Sequence, residues 1–407
     1  MAIRFALALL ALALPLAAGA GPWEFEAPIS LSDRHGEKLF HHLESSGRRN
    51  IAVSGDTVAV AWEDDRDGTP RIYLARKRLQ DKAFAPALRL SGEGEAYEPS
   101  LVALDGGRFA AAWEEDGRVR LRLVTPEGGG PVATLEAAES AQPSLLYAAG
   151  ELRLVAAERE QRFARIRFHR FGVDEGQRLR RLGGCAVDAA PPQDEQLYPT
   201  LAQQQGVTVV AWEDRRPGHT IIMASESVSG SECAFTAPQR ISLRPERGEK
   251  MPYGRGHGVA RVALAAYGKE ALLAAWADKR DFREGYDIYA AHWRPQRGFD
   301  GNERVQDAFG GVARQWHTAV AGDSEGRLVV AWDDERDGDG NVMYSWLEAG
   351  EWSEDLPLPG ADGAGEQTHP AITLDAQGNL HAAWVARDVV GGPTRLRYAF
   401  GSRRNPQ

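Results

Sequence analysis

Two histidines occupy the same place in two copies of one pattern. His317-Thr318-Ala319-Val320 and His369-Pro370-Ala371-Ile372 align position for position, and each histidine is followed six residues later by an aspartate, Asp323 and Asp375. Imidazole gains or loses a proton near neutral pH, so two of them on one surface suit proton transfer or the gripping of an acidic or sugar-like ligand. Other polar residues precede short apolar runs in the same manner: Arg48 and Arg49, Glu98, Gln142, Tyr198 and His257. The segment 244–258, rich in Gly, Arg, Tyr and His, adds Tyr253 and Arg255. Long loops on a rigid scaffold are where binding residues collect.

Metal chemistry finds less support. Zinc held by His317 and His369 would need further ligands, and the sequence names none. The run Asp333-Asp334-Glu335-Arg336-Asp337-Gly338-Asp339-Gly340-Asn341 alternates carboxylates around glycine as a calcium loop does, but its twelfth position, which should be a bidentate glutamate, is Tyr344. Neither a metal nor a cofactor is expected.

The elements that must position these residues form a repeat. Trp62, Trp113, Glu158, Trp212, Trp276, Trp332 and Trp384 each end an apolar run, at spacings of 51, 45, 54, 64, 56 and 52 residues. A period near fifty matches a four-stranded propeller blade with its loops. Each unit opens with a short strand such as Pro99-Ser100-Leu101-Val102 and turns at a glycine. A nearly continuous apolar strand follows, such as Thr57-Val58-Ala59-Val60-Ala61-Trp62, with the character of a strand buried on both faces. A polar turn then leads into a third strand such as Asp287-Ile288-Tyr289-Ala290, and a fourth carries an aromatic residue and a proline. Seven anchors predict an all-β fold, a seven-bladed β-propeller of four-stranded blades.

The last unit stops after three strands, while Trp23-Glu24-Phe25-Glu26-Ala27-Pro28-Ile29-Ser30 reads as a fourth strand with no blade before it. The N-terminal strand should therefore complete the last blade and close the ring. Ahead of it, Arg4, an apolar run from Phe5 to Leu16 and Ala18-Gly19-Ala20 form a secretory leader over residues 1–20, with cleavage after Ala20. Residues 21–407 then make one propeller domain, periplasmic or secreted, with no transmembrane anchor. The net charge of −10, with 48 basic residues spread along the chain, excludes nucleic acid as a partner. The chain is expected to be monomeric.

The turns after the anchors carry a resemblance. Trp62-Glu63-Asp64-Asp65-Arg66-Asp67-Gly68, Trp212-Glu213-Asp214-Arg215-Arg216, Trp276-Ala277-Asp278-Lys279-Arg280 and Trp332-Asp333-Asp334-Glu335-Arg336 resemble the turns of the sialidase-like, BNR-repeat-type β-propeller group, over nearly the whole mature chain. The resemblance implies the fold and not the sialidase reaction. The group's Asp-box is intact nowhere, no Arg-Ile-Pro start is present, and seven units stand where catalytic sialidases have six. Asp64 with Arg66, Asp214 with Arg216, Asp278 with Arg280 and Asp334 with Arg336 recur in four units, and one active site does not need four copies. These pairs read as a frame of charge-assisted hydrogen bonds, with Trp62, Trp212, Trp276 and Trp332 packed between blades.

Cys185 and Cys233 are the only cysteines, and each begins a similar segment. An oxidising compartment favours a disulfide, whereas equivalent outer strands of neighbouring blades diverge and disfavour it; both outcomes stay open. Functionally, the first reading is a non-catalytic propeller that binds a glycan or an envelope protein on the histidine-bearing face. The alternative is a glycan-active enzyme, a glycoside hydrolase or polysaccharide lyase, using Tyr198 and the histidines as acid and base with an arginine neutralising a carboxylate. A third reading is a scaffold subunit of an envelope complex.

Overall fold

The computed structural model describes residues 21–404, apart from 34–35, 37, 44–48, 175–177, 232, 244–257 and 281–284. The expected leader, Arg48, Tyr253, Arg255 and His257 all lie outside the described residues.

Seven antiparallel sheets form the seven blades, each ordered A-B-C-D from its inner strand outward. The A strands are Ile51–Ser54, Ala96–Ala103, Ser140–Ala148, Gln196–Gln204, Gly258–Tyr267, Gln315–Gly322 and Glu366–Leu374. The B strands that follow them are Thr57–Asp64, Phe109–Glu115, Glu151–Glu160, Val207–Asp214, Ala271–Lys279, Leu328–Asp334 and Leu380–Arg387. Their unbroken apolar character has a direct cause, because each B strand is covered on both faces by neighbouring blades. Val58 through Trp62 and Phe109 through Trp113 are wholly buried. Among the described residues, seven apolar clusters result, one between each pair of adjacent blades. Leu273, Ala275 and Ile288 of blade 5, for instance, pack on Val330, Trp332 and Met343 of blade 6.

The ring closes as the termini predicted. Blade 7 takes its outer strand from the N-terminus, Trp23–Phe25 and Ile29–Ser30, paired antiparallel with Thr394–Arg403 in the register Trp23↔Arg403 and Ile29↔Tyr398. The Trp23 indole is buried against Tyr344 and Trp346 of blade 6 and donates to the Gly378 carbonyl at 2.9 Å.

The repeated turns share one hydrogen-bond pattern. The indole N–H of Trp62, Trp212, Trp276 and Trp332 donates to the carboxylate two residues on, at 2.8, 3.2, 2.9 and 3.0 Å. Arg66, Arg216, Arg280 and Arg336 then pair with the same aspartates at 2.6–2.7 Å. Blade 3 has Glu158 at its anchor, and that carboxylate meets His169 Nε2 at 2.6 Å instead.

Cys185 and Cys233 form a disulfide, with Cα atoms 5.8 Å apart. The expected divergence does not arise because the two positions are not equivalent. Cys185 lies on the outer strand of blade 3, Leu179–Ala186, whereas Cys233 lies in the connection between strand C, Ile221–Glu226, and strand D, Gln239–Arg240, of blade 4. That connection packs on blade 3, where Phe235 meets Phe168 edge-on.

Candidate functional site

Every fully described A strand carries a β-bulge at its third or fourth residue, and the bulged residue is one of the polar residues singled out above or its structural equivalent. Pairing with strand B slips between Tyr97 and Ser100, Ala141 and Ser144, Leu197 and Thr200, Ala260 and Ala263, Trp316 and Ala319, and Thr368 and Ala371. Within each slip one residue takes the left-handed conformation: Glu98, Gln142, Tyr198, Arg261, His317 and His369, with φ between 47° and 61°. Glycine sits there without strain, yet all six are large side chains, each at a cost of about 1–3 kcal/mol. All six are partly exposed while the residue after each is buried, so the bulges turn a ring of polar groups toward one mouth of the propeller.

Two candidates need placing. In blade 5 the bulge position belongs to Arg261, three residues into strand A, while His257 lies outside the described residues. Counting back 14–16 residues from each anchor gives Arg48, Glu98, Gln142, Tyr198, Arg261, His317 and His369, a signal that was present in the sequence. Arg49 does not join the ring; its guanidinium reaches across the central opening toward the Leu264 carbonyl.

A bulged residue loses its ladder partner, so its buried N–H needs another acceptor. Neighbouring blades supply it. Gln142 Oε1 accepts the Tyr198 N–H at 2.8 Å, Glu213 accepts the Arg261 N–H at 2.8 Å, and Asp333 accepts the His369 N–H at 2.7 Å. Glu213 and Asp333 are the residues directly after the anchor tryptophans, where Glu63 and Glu114 also stand. Sequence reasoning attended to the aspartate one place further on and passed over these carboxylates.

Two pairs stand out at the mouth. The Arg261 guanidinium lies 3.3 Å from the centre of the Tyr198 ring, a cation–π stack between blades 5 and 4. His317 and His369 stack with ring centres 3.8 Å apart and planes at 26°. His317 Nδ1 is 2.5 Å from Asp333 Oδ2, and Trp316, backed by Tyr286 at 4.1 Å, flanks the pair.

His317, Asp333 and His369 bring their ligand atoms within 4.8 Å of one another, so Asp333 is the third group that the sequence did not name. Their orientation argues against a metal. An ion held by both imidazoles must lie near both ring planes and about 3 Å from each ring centre. Rings stacked 3.8 Å apart at only 26° would hold a shared ion out of their planes, away from the nitrogen lone pairs. The arrangement is instead a hydrogen-bonded Asp–His dyad: Asp333 holds the proton at His317 Nδ1 and makes Nε2 the basic nitrogen, the geometry used for general base catalysis.

Fold and mouth together define a closed seven-bladed β-propeller with a polar central face. No protein-family model and no curated protein matches the sequence. Among solved structures, the chain is similar to a protein of unknown function from Dyadobacter fermentans, with 10% identity over 95% of this chain and 100% of that one and a TM-score of 0.54. It is similar also to the α-L-arabinofuranosidase Arb93A of Fusarium graminearum in complex with an iminosugar inhibitor, with 10% identity, 93% and 98% coverage and a TM-score of 0.51. A third is a puromycin-hydrolysing peptidase of Mycobacterium tuberculosis, with 15% identity over 90% of this chain and 54% of that one and a TM-score of 0.50. At these identities the likeness shows the fold alone.

Proposed function

We propose that this protein is a glycan-active enzyme of the cell envelope or secreted fraction, working on an acidic polysaccharide at the mouth formed by the six bulged residues. This places the enzymatic reading ahead of simple binding. The observation that carries it is the Asp333–His317 dyad on the same rim as the Arg261–Tyr198 stack. A binding surface needs hydrogen-bond donors and aromatic faces; it does not need a carboxylate aimed at one nitrogen of an imidazole. In the proposed role, Arg261 pairs with a uronate carboxylate, Trp316 and Tyr198 offer flat faces to sugar rings, and His317 Nε2 removes the proton from the carbon beside the carboxylate; the electron pair left there forms a double bond as the C–O bond to the leaving sugar breaks, and that oxygen takes a proton from water.

Hydrolysis is the second reading, supported by the glycosidase among the structural neighbours. It would need two carboxylates in acid and nucleophile roles. Two of the mouth carboxylates, Glu213 and Asp333, already accept backbone N–H groups. Secretion belongs to the same proposal and is supported by the Cys185–Cys233 disulfide, a feature of oxidising compartments. So does kinship with the BNR-type propellers, which rests on the turn motifs. A polysaccharide turnover screen tests the reaction: unsaturated products mark elimination, saturated reducing ends mark hydrolysis, and neither from any acidic glycan would leave no support for an enzyme.

A further inference from the structure

Arg49 stands two residues before strand A of blade 1, Ile51–Ser54, and its side chain enters the central channel instead of the mouth. Among the described residues its one hydrogen bond, to the Leu264 carbonyl of blade 5 on the far side of the ring, is 3.4 Å long, beyond the usual range for N–H···O. Among the described residues no carboxylate lies within ion-pair distance of it. Enclosure by protein alone pulls its pKa below the ordinary arginine value, with no neighbouring charge opposing the shift. A guanidinium remains charged in proteins, so the channel holds a cation whose charge nothing among the described residues neutralises.

The space around it has a definite chemistry. A cavity of about 260 Å³ lies beside Arg49, walled by Ile51, Leu101, Leu146, Val320 and Ile372, with Gln203 among its few polar groups. These wall residues come three to five places after the bulges, so the cavity occupies the half of the channel away from the histidine-bearing mouth. The A strands end here, and Val53, Ala103, Gln203, Ala266 and Gly322 are partly exposed, so the cavity is open to solvent at that end. Its volume equals that of about nine waters in the liquid.

We propose that this half of the channel is a second binding site, separate from the mouth, that takes a small organic monoanion. Its carboxylate pairs with the Arg49 guanidinium and its apolar body, a short alkyl chain or a single ring, fills the aliphatic wall. Pairing supplies the counter-charge that the described residues lack, in the planar geometry that arginine offers a carboxylate. The aliphatic wall selects against inorganic oxyanions, which have nothing to place there.

Calorimetric titration of the full chain with hexanoate, hexanamide and sulfate tests this. Hexanoate is expected to bind saturably at one site per chain, about tenfold or more tighter than hexanamide, the factor a charge-assisted pair contributes. Arg49→Met should abolish that binding and, without ligand, unfold at the same or a higher temperature, because it removes an uncompensated charge of similar volume. Arg49→Lys, which keeps the charge, should bind hexanoate more weakly than wild type but still above hexanamide. His317→Ala should bind hexanoate as wild type does, which separates this site from the mouth. Absence of hexanoate binding, equal binding of hexanamide, equal binding of sulfate, or undiminished binding by Arg49→Met would each overturn the proposal. A markedly lower unfolding temperature for both Arg49 variants would make Arg49 a strut across the ring and overturn it as well.

Discussion

Replacing Asp333 by asparagine keeps the volume of the side chain and removes its charge, which makes it the sharpest probe of the mouth. Asp333 is 5% exposed and serves two donors at once, the His369 N–H at 2.7 Å and His317 Nδ1 at 2.5 Å. An asparagine has one acceptor oxygen. If the His369 N–H keeps it, the amide NH2 faces His317 Nδ1, and the neutral ring must move its proton to Nε2. Two hydrogen bonds to a charged group, each contributing about 1.5–3 kcal/mol, become two neutral bonds of about 0.5–1.5 kcal/mol, so the fold should lose about 2–3 kcal/mol. Catalysis should fall by roughly 10²–10⁴, because the basic nitrogen no longer faces the substrate. Urea denaturation reads the first effect, and ¹⁵N NMR of the imidazole side chains at alkaline pH reads the tautomer without any substrate. A wild-type His317 that already carries its proton on Nε2, or a variant unchanged in both tautomer and stability, would refute the dyad.

Ring closure and pH response give two more tests. Trp23→Ala removes a buried indole and its bond to Gly378 from the strand that completes blade 7, and should cost about 3–5 kcal/mol in urea denaturation; a loss below about 1 kcal/mol would mean the closing strand is dispensable. His41 is 1% exposed between Ser32 and Thr394, and burial pulls its pKa down to about 4 despite the opposing charge of Asp64. The folded state therefore binds the neutral ring, and its stability should be complete above the unfolded pKa near 6.5 and fall as pH drops toward 4, by up to about 3 kcal/mol. Urea midpoints at pH 7 and pH 5 should separate for the wild type and converge for His41→Asn; equal separation in both would assign the pH dependence elsewhere.

Much of the fold was legible because one constraint repeats. A strand buried on both faces must be apolar throughout, so the B strands and their anchors announce the blade period even where Glu158 replaces tryptophan. The closing strand was legible for the complementary reason, a fourth strand at one end and a missing one at the other. Five of the six described ring residues, Glu98, Gln142, Tyr198, His317 and His369, were recognisable because proline or threonine follows each before an apolar run. Arg261 lacked that mark, since valine follows it and a long segment precedes it, and only its distance from Trp276 pointed to it. The left-handed bulge itself leaves no mark when glycine is absent, and Asp333 was hidden inside a motif that reads as frame. Arg49 shows the same limit: sequence placed it in the ring, but the direction of its side chain depends on a strand register that only the folded chain sets.

The central claim is that the mouth performs chemistry on an acidic glycan. Its most direct test is the initial rate of product formation from a uronate-bearing polysaccharide and from its methyl-esterified form, for wild type, His317→Ala and Arg261→Gln. The account predicts turnover of the free-acid form by wild type, loss of about a hundredfold or more with His317→Ala, and loss of the preference for the free acid with Arg261→Gln. Wild-type turnover that neither substitution alters, or no turnover of any acidic glycan, would contradict it.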